Sequence, residues 1–66
     1  MTVAKIIELS AESKVSFEDA IRAGIKRAKD TVENIKSAWV KEQQVMVEDG
    51  KVVAYRVDLK VTFVLN

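Results

Sequence analysis

The strongest constraint on this sequence is a long run of alternating residues over positions 53–65. Arg56, Asp58, Lys60 and Thr62 fall on one side of this run. The residues on the other side are all apolar or aromatic: Val53, Tyr55, Val57, Leu59, Val61, Phe63 and Leu65. Because successive side chains of a strand point to opposite faces, this period of two predicts a strand with one buried and one solvated face.

A tight turn precedes this strand and makes it the second arm of a hairpin. Asp49–Gly50 is a strong two-residue signal for a type I′ turn. With this turn as the loop, the predicted cross-strand pairs are Glu48–Lys51, Val47–Val52, Gln43–Arg56, Lys41–Asp58 and Trp39–Lys60. The first and fourth of these pairs join opposite charges, which supports the register.

The first half of the chain is predicted to form one strand and one helix. Thr2–Leu9 is a predicted strand with mostly β-branched apolar residues, and Ser10–Val15 is a polar joint. Ser16, followed by Asp19, predicts a helix N-cap. A stripe at spacings of three and four predicts a helix of about 19 residues. The stripe consists of Phe17, Ile21, Gly24, Ile25, Ala28, Val32 and Ile35. We expect Gly24 to let the helix lie close to the sheet.

These elements combine into an α+β protein of the order β-α-β-β. The three strands form an antiparallel sheet wrapped on one helix, and residues 1–66 form a single domain. A chain of 66 residues without cysteine has a small core and no disulfides, so we expect it to oligomerise. A second subunit is expected to cover the apolar residues predicted on the face away from the helix. These residues are Trp39, Val45, Val47, Val52, Ala54 and Val64.

The composition removes most enzyme chemistries. The chain contains no His and no Cys, so it lacks imidazole bases, thiolate nucleophiles and the usual zinc ligands. The hairpin register predicts that Glu42 and Asp58 lie on opposite faces, which separates two carboxylates that acid–base catalysis needs around one bond. We therefore expect no enzymatic activity. Metal binding stays open, since several acidic oxygens could hold a hard cation: those of Glu8, Glu12, Glu48 and Asp49.

The charge pattern bears on possible partners. A formal net charge of +1 argues against nucleic acid as a partner. Arg22, Lys26, Arg27 and Lys29 form a basic stretch on the helix that could meet phosphates or could be a solvated face. The solvated face is favoured, because the aromatic residues of a nucleic-acid platform are missing. No apolar run approaches the ~18 residues of a membrane span and no signal peptide is recognisable, so we expect a cytoplasmic protein.

Trp39 is the most informative single residue. It is the only tryptophan, and strand parity predicts that it lies on the face away from the helix, with Lys41, Gln43 and Arg56. A large aromatic side chain in this position either packs in a subunit interface or stacks on a planar ligand. The residues alone favour the interface and leave the ligand open.

Over almost its whole length the chain resembles the dodecin family. The similarity rests on the opening strand AKIIELSAES, the helix SFEDAIRAGIKRAKDTVENI, the segment AWVKEQ and the closing strand YRVDLKVTFVL. The resemblance implies a hollow, non-enzymatic dodecamer of β-α-β-β protomers. It also implies binding of riboflavin, FMN or FAD between tryptophans at two-fold interfaces, for storage and protection.

The resemblance also assigns the candidate ligand residues. The stacking tryptophan of the family falls on Ser37, and Trp39 lies two residues later, on the same face but roughly 6.6–6.8 Å away. The glutamine that reads the flavin edge falls on Arg56, which can only donate. Two phosphate-contacting arginines fall on Gln44 and Val64. We predict a homododecamer that stores flavin or a related planar anionic ligand, with weakened flavin affinity. The alternative is a shell that has lost flavin and serves as a structural or ion-binding assembly.

Overall fold

The structure, a computed structural model, describes residues 2–65 as one helix and three strands. Strand β1 spans Val3–Ser13, helix α1 spans Phe17–Lys29, β2 spans Ile35–Glu48 and β3 spans Lys51–Leu65. The strands form one antiparallel sheet in the order β1-β3-β2, so β3 is hydrogen-bonded on both sides. The predicted β-α-β-β order and three-stranded antiparallel sheet are confirmed.

The core lies between α1 and the central part of β3. Val57, Leu59 and Val61 are completely buried and Phe63 is nearly so, which confirms that this side of the alternating run faces the helix. The buried residues of α1 are all small: Ala20, Gly24 and Ala28. A Cβ atom on Gly24 would lie only 2.9 Å from Leu59 Cδ1. The glycine therefore permits the close approach of helix and sheet that the sequence predicts.

The start of α1 agrees with the prediction. Ser16 has an extended backbone, and its Oγ accepts a hydrogen bond from the Asp19 N–H at 3.0 Å. The Asp19 carboxylate does not complete a capping box, because it accepts a hydrogen bond from Ser13 Oγ at 2.6 Å instead. Ser16 is thus the N-cap, and Asp19 ties the helix start to the end of β1.

The end of α1 comes earlier than the apolar stripe predicts. The helix contains 13 residues and stops at Lys29. Val32 lies in the connection that follows, and Ile35 begins β2. Asn34 adopts a left-handed backbone with φ of 61°, which turns the chain from the connection into the strand. Val32 and Ile35 are half-buried in these positions, so they continue the apolar pattern without being helical.

Strand β1 is longer than predicted. Residues 10–13, expected in a polar joint, continue the pairing with β3 as far as Ser13 opposite Tyr55. Their polar character has two causes. Ser10 and Glu12 point away from the helix, opposite Asp58 and Arg56, whereas Ser13 is buried and bonded to Asp19.

The Asp49–Gly50 turn is confirmed. Both residues have positive φ, 54° for Asp49 and 75° for Gly50, as a type I′ turn requires. The pairs next to the turn, Glu48–Lys51 and Val47–Val52, also form as predicted.

Bulges shift the middle of the hairpin away from the predicted register. One lies on β3 at Val53, where pairing passes from Val47–Val52 to Met46–Ala54. As a result, Val53 is exposed, although it was predicted on the buried side of the run. Ala54 lies on the same face as Arg56, as predicted, and is itself buried.

A second bulge, at Lys41 on β2, cancels the first. Beyond it Trp39 lies opposite Lys60, as predicted, and a further shift follows between Ile35 and Ser37. Between the two bulges the predicted pairs Gln43–Arg56 and Lys41–Asp58 are wrong. The observed pairs there include Gln44–Arg56, Gln43–Val57 and Glu42–Asp58.

One face of the sheet carries no helix. Directly paired residues point to the same side of a sheet, so this helix-free face consists of alternate β3 residues and their partners. On β3 it contains Arg56, Asp58, Lys60, Thr62 and Val64; on β2 Gln44, Glu42, Trp39 and Ser37; on β1 Glu12, Ser10, Glu8, Ile6 and Ala4. The expectation that Glu42 and Asp58 lie on opposite faces is therefore wrong, because the bulge at Lys41 brings them onto the same one.

The helix is much shorter than the sheet. Its 13 residues span about 20 Å, whereas the protomer is 51 Å long, 19 Å wide and 14 Å thick. Large apolar residues stay exposed beyond the helix and on the helix-free face. They include Val3, Ile6, Trp39, Val45, Val47, Val52 and Leu65. Within residues 2–65, no helix has the length and apolar character of a membrane span.

Candidate functional site on the helix-free face

All five ligand residues predicted from the family resemblance lie on the helix-free face. They are Ser37, Trp39, Gln44, Arg56 and Val64. The sheet places them on separate rungs of paired residues. Ser37 lies opposite Thr62, Trp39 opposite Lys60, and Gln44 opposite Arg56.

Trp39 presents its ring to solvent. The residue is 69% exposed, and Lys60 Nζ lies 5.7 Å from the centroid of its ring. A cation over an indole face at this distance is attracted by the ring quadrupole. The predicted face of Trp39 agrees with the structure, but Gln43 lies opposite Val57, on the helix side, and is not a neighbour of Trp39.

Gln44 and Arg56 form a second polar group on this face. Arg56 Nε and Nη2 both donate to Glu12 Oε1, at 3.1 and 2.8 Å. Gln44, directly opposite, has an amide oxygen that accepts and an amide nitrogen that donates. The Gln44–Arg56 rung therefore offers both donors and an acceptor, although Arg56 alone offers only donors.

Trp39 does not meet Arg56 within one protomer. Arg56 lies four positions along β3 from Lys60, the partner of Trp39, which corresponds to about 13 Å. Glu42 and Asp58 occupy the rung between them. The structure thus joins Gln44 with Arg56 and places Ser37 beside Trp39, but it keeps these two groups apart.

Glu42 and Asp58 are two carboxylates on one rung. Asp58 Oδ1 accepts a hydrogen bond from Ser10 Oγ at 2.6 Å. The cavity beside the pair has a volume of about 10 Å³ and is lined in part by Gln43 and Gln44. This volume is at the lower limit for one water molecule.

Sequence reasoning missed three side-chain contacts on this face. It missed the bond from Arg56 to Glu12, because β1 was predicted to end at Leu9. It also paired Lys41 with Asp58, whereas Lys41 Nζ lies 3.4 Å from Glu8 Oε2. The third contact, Lys60 with the Trp39 ring, could have been found, since the predicted register already paired these two residues.

Other acidic and basic residues are dispersed. Among residues 2–65, no group of three or more Asp or Glu side chains is arranged to hold a metal ion. On the helix, Arg22 Nη2 contacts Glu18 Oε1 at 2.7 Å, and Arg27 Nη1 lies 3.7 Å from Asp30 Oδ2. These pairs agree with the solvated-face interpretation of the basic stretch.

Comparison with known proteins gives one consistent family. A family model described as Dodecin matches residues 3–66. The chain is 36% identical over 63 residues to calcium dodecin of Mycobacterium tuberculosis, covering 96% of this chain and 89% of that protein.

Solved structures show the same similarity. An arginine-to-alanine variant of Thermus thermophilus dodecin has a TM-score of 0.93 and 33% identity, covering 100% of this chain and 98% of that chain. A further solved structure is that of M. tuberculosis calcium dodecin, a protein described as a calcium-chelating immunodominant antigen with a novel calcium-binding site. It has a TM-score of 0.82 and 37% identity, covering 97% of this chain and 91% of that chain.

Proposed function

The chain belongs to the dodecin family, and from that premise we propose that it is a non-enzymatic storage protein for a planar ligand. It assembles into a hollow homododecamer and binds riboflavin, FMN or FAD on the helix-free face. The observation that carries this proposal is the exposed ring of Trp39 on a sheet face without a helix.

The shape of the protomer supports assembly. Helix α1 covers about 20 Å of a molecule 51 Å long. Val45, Val47 and Val52, near the hairpin turn, stay exposed, as does Ile6 on the helix-free face. Burying such surface stabilises by about 25 cal/mol per Å², so further copies of the chain are the natural cover. In a closed symmetric oligomer, identical contacts bury the same apolar surface of every protomer.

The spacing of the ligand residues supports a site shared between protomers. Trp39 supplies the stacking ring, and Gln44 with Arg56 supplies hydrogen bonds for the polar edge of a flavin. Ser37 and Val64 lie at the Trp39 end of the same face. About 13 Å separates Trp39 from Arg56 along the strand. A flavin ring that stacks on Trp39 would therefore have to extend across the Glu42–Asp58 rung to reach Arg56 of the same protomer. A two-fold partner resolves this, since it brings its own Gln44–Arg56 rung to the ring.

Flavin titration tests the proposal. Binding should quench the fluorescence of riboflavin or FMN. The fluorescence of Trp39, the only tryptophan, provides a second signal for binding. We expect weak binding that is lost in Trp39→Ala and raised in Ser37→Trp combined with Arg56→Gln. Lys26→Ala, at an exposed position on the helix and away from the helix-free face, serves as the control. Tight binding that survives Trp39→Ala would refute the assignment of the stacking residue, and a monomer or simple dimer in light scattering would refute the assembly.

An ion-binding shell is the second candidate. It is favoured by the Glu42–Asp58 rung, where two directly paired residues carry carboxylates on one face, and by the 36% identity to a protein named calcium dodecin. Titration calorimetry with Ca²⁺ tests it. Binding should be lost in Glu42→Gln combined with Asp58→Asn and retained in Glu18→Gln, a control on the helix. Absence of Ca²⁺ binding, or binding that the double variant retains, would exclude this rung as the site.

A further inference from the structure

The Trp39 end of the helix-free face carries a cation without a carboxylate partner in the described residues. Lys60 Nζ lies over the Trp39 ring, and none of the ion pairs found among residues 2–65 includes it. Glu8, the residue opposite Lys60 on β1, is in contact with Lys41 instead. Lys60 is half-buried, and its Nζ lies 5.7 Å from the centroid of the Trp39 ring.

The next rung adds two hydroxyl groups on the same side. Ser37 and Thr62 lie directly opposite each other, one rung from Trp39 and Lys60. A hydroxyl donates a hydrogen bond to an anionic oxygen, and an ammonium supplies three further donors with a full charge. Lys60, Ser37 and Thr62 therefore form a cluster of donors next to an exposed aromatic ring.

The charges on the rung at the other side of Trp39 determine on which side of the ring an anion is favoured. Glu42 and Asp58 carry two carboxylates there, and they repel an anion placed towards them. Arg56, one rung farther, is bound by Glu12. An anionic group attached to a ring on Trp39 is thus favoured only on the side of Ser37 and Thr62.

We propose that Lys60, Ser37 and Thr62 form an anion subsite that makes the protein select a planar ligand bearing a phosphate over the same ring without one. The inference rests on the proposed function, since it requires a ring stacked on Trp39. It places the phosphate next to Trp39 and not at Gln44 and Val64, the positions that the family resemblance indicates.

Parallel titrations with riboflavin and FMN test the subsite, because the two ligands share one ring system and differ by a phosphate. We expect FMN to bind about two- to fivefold more tightly at low salt, the range of one partly exposed charge contact. The preference should shrink as salt screens the charge. It should disappear in Lys60→Gln, persist in Lys60→Arg and weaken in Thr62→Val. Lys51→Gln, next to the hairpin turn, should leave it unchanged.

The outcomes separate this inference from the proposed function. Equal affinity for both ligands, or a preference for FMN that survives Lys60→Gln, overturns the anion subsite and leaves planar-ligand binding in place. A loss of riboflavin binding in Lys60→Gln as large as that of FMN also overturns it, because Lys60 would then serve the ring and not the phosphate. Failure of both ligands to bind the unmodified protein overturns the subsite and the proposed function together.

Discussion

Gly24 offers a quantitative test of how closely the helix lies on the sheet. A Cβ at this position would lie 2.9 Å from Leu59 Cδ1 and 3.2 Å from both Ala11 Cβ and Leu9 Cδ1. Leu59 is completely buried, so its methyl group has little space to move into. Gly24→Ala should therefore cost about 1–3 kcal/mol through overpacking. Better helix propensity returns about 1 kcal/mol, which leaves a net loss of about 0–2 kcal/mol.

A second substitution shows whether Leu59 causes this loss. Leu59→Ala alone should cost about 2–5 kcal/mol, because it removes a buried side chain. In that background Gly24→Ala should become neutral or stabilising, since the nearest obstructing atom is gone. The exposed neighbour provides the propensity control: Ala23→Gly should cost about 1 kcal/mol with no dependence on Leu59.

Denaturant unfolding followed by circular dichroism measures all of these variants. The protomer concentration must be the same throughout, because association adds to the apparent stability. For a domain of this size, 1 kcal/mol corresponds to about 4–8 °C in Tm. A stabilising Gly24→Ala in the unmodified background, or an equal penalty in both backgrounds, would show that the close approach does not constrain this position.

Three further changes have equally definite expectations. Gly50→Ala should destabilise the protein by about 1–2 kcal/mol in denaturant unfolding. The cause is backbone strain alone, because φ is +75° and no atom lies within 4 Å of the added Cβ. An unchanged unfolding midpoint would contradict the turn geometry. Ser16→Ala should lower helix stability by about 1 kcal/mol, whereas Ser16→Thr keeps the cap, and equal thermal midpoints for the two would contradict the N-cap. Lys26→Glu combined with Lys29→Glu should leave the particle size in light scattering unchanged, since both residues are exposed; dissociation would place the helix face in an interface.

The elements predicted well are those that one local signal determines. Asp49–Gly50 specifies its turn because both residues tolerate positive φ. From Tyr55 onward, alternation identifies the buried side of β3, because an unbroken strand has a period of two. The whole order β-α-β-β follows from these signals and from the N-cap at Ser16.

The register was harder to predict because bulges have no clear residue signature. Val53 and Lys41 each add one residue to one strand, and the two shifts cancel. Trp39–Lys60 was therefore predicted correctly, although the pairs between the bulges were not. Glu42 and Asp58 became neighbours through the same shift.

The candidate site was partly predictable for a related reason. The exposure of Trp39 on the helix-free face follows from strand parity, which the two bulges together preserve. The bond from Arg56 to Glu12 depends on the length of β1. Polar residues such as Ser10 and Glu12 resemble a loop unless their partners on β3 are known.

The position of β3 at the centre of the sheet has a consequence for synthesis on the ribosome. Both neighbours of β3 precede it in the chain, and within the described residues they pair with β3 and not with each other. A nascent chain that has exposed β1, α1 and β2 therefore has no sheet. When β3 emerges, the two-residue turn lets β2 pair first, because that loop closes at low entropic cost, whereas β1 must close over a much longer separation. Stalling or cleavage within β3 should thus remove the tertiary structure of the whole protomer and not only of its last strand.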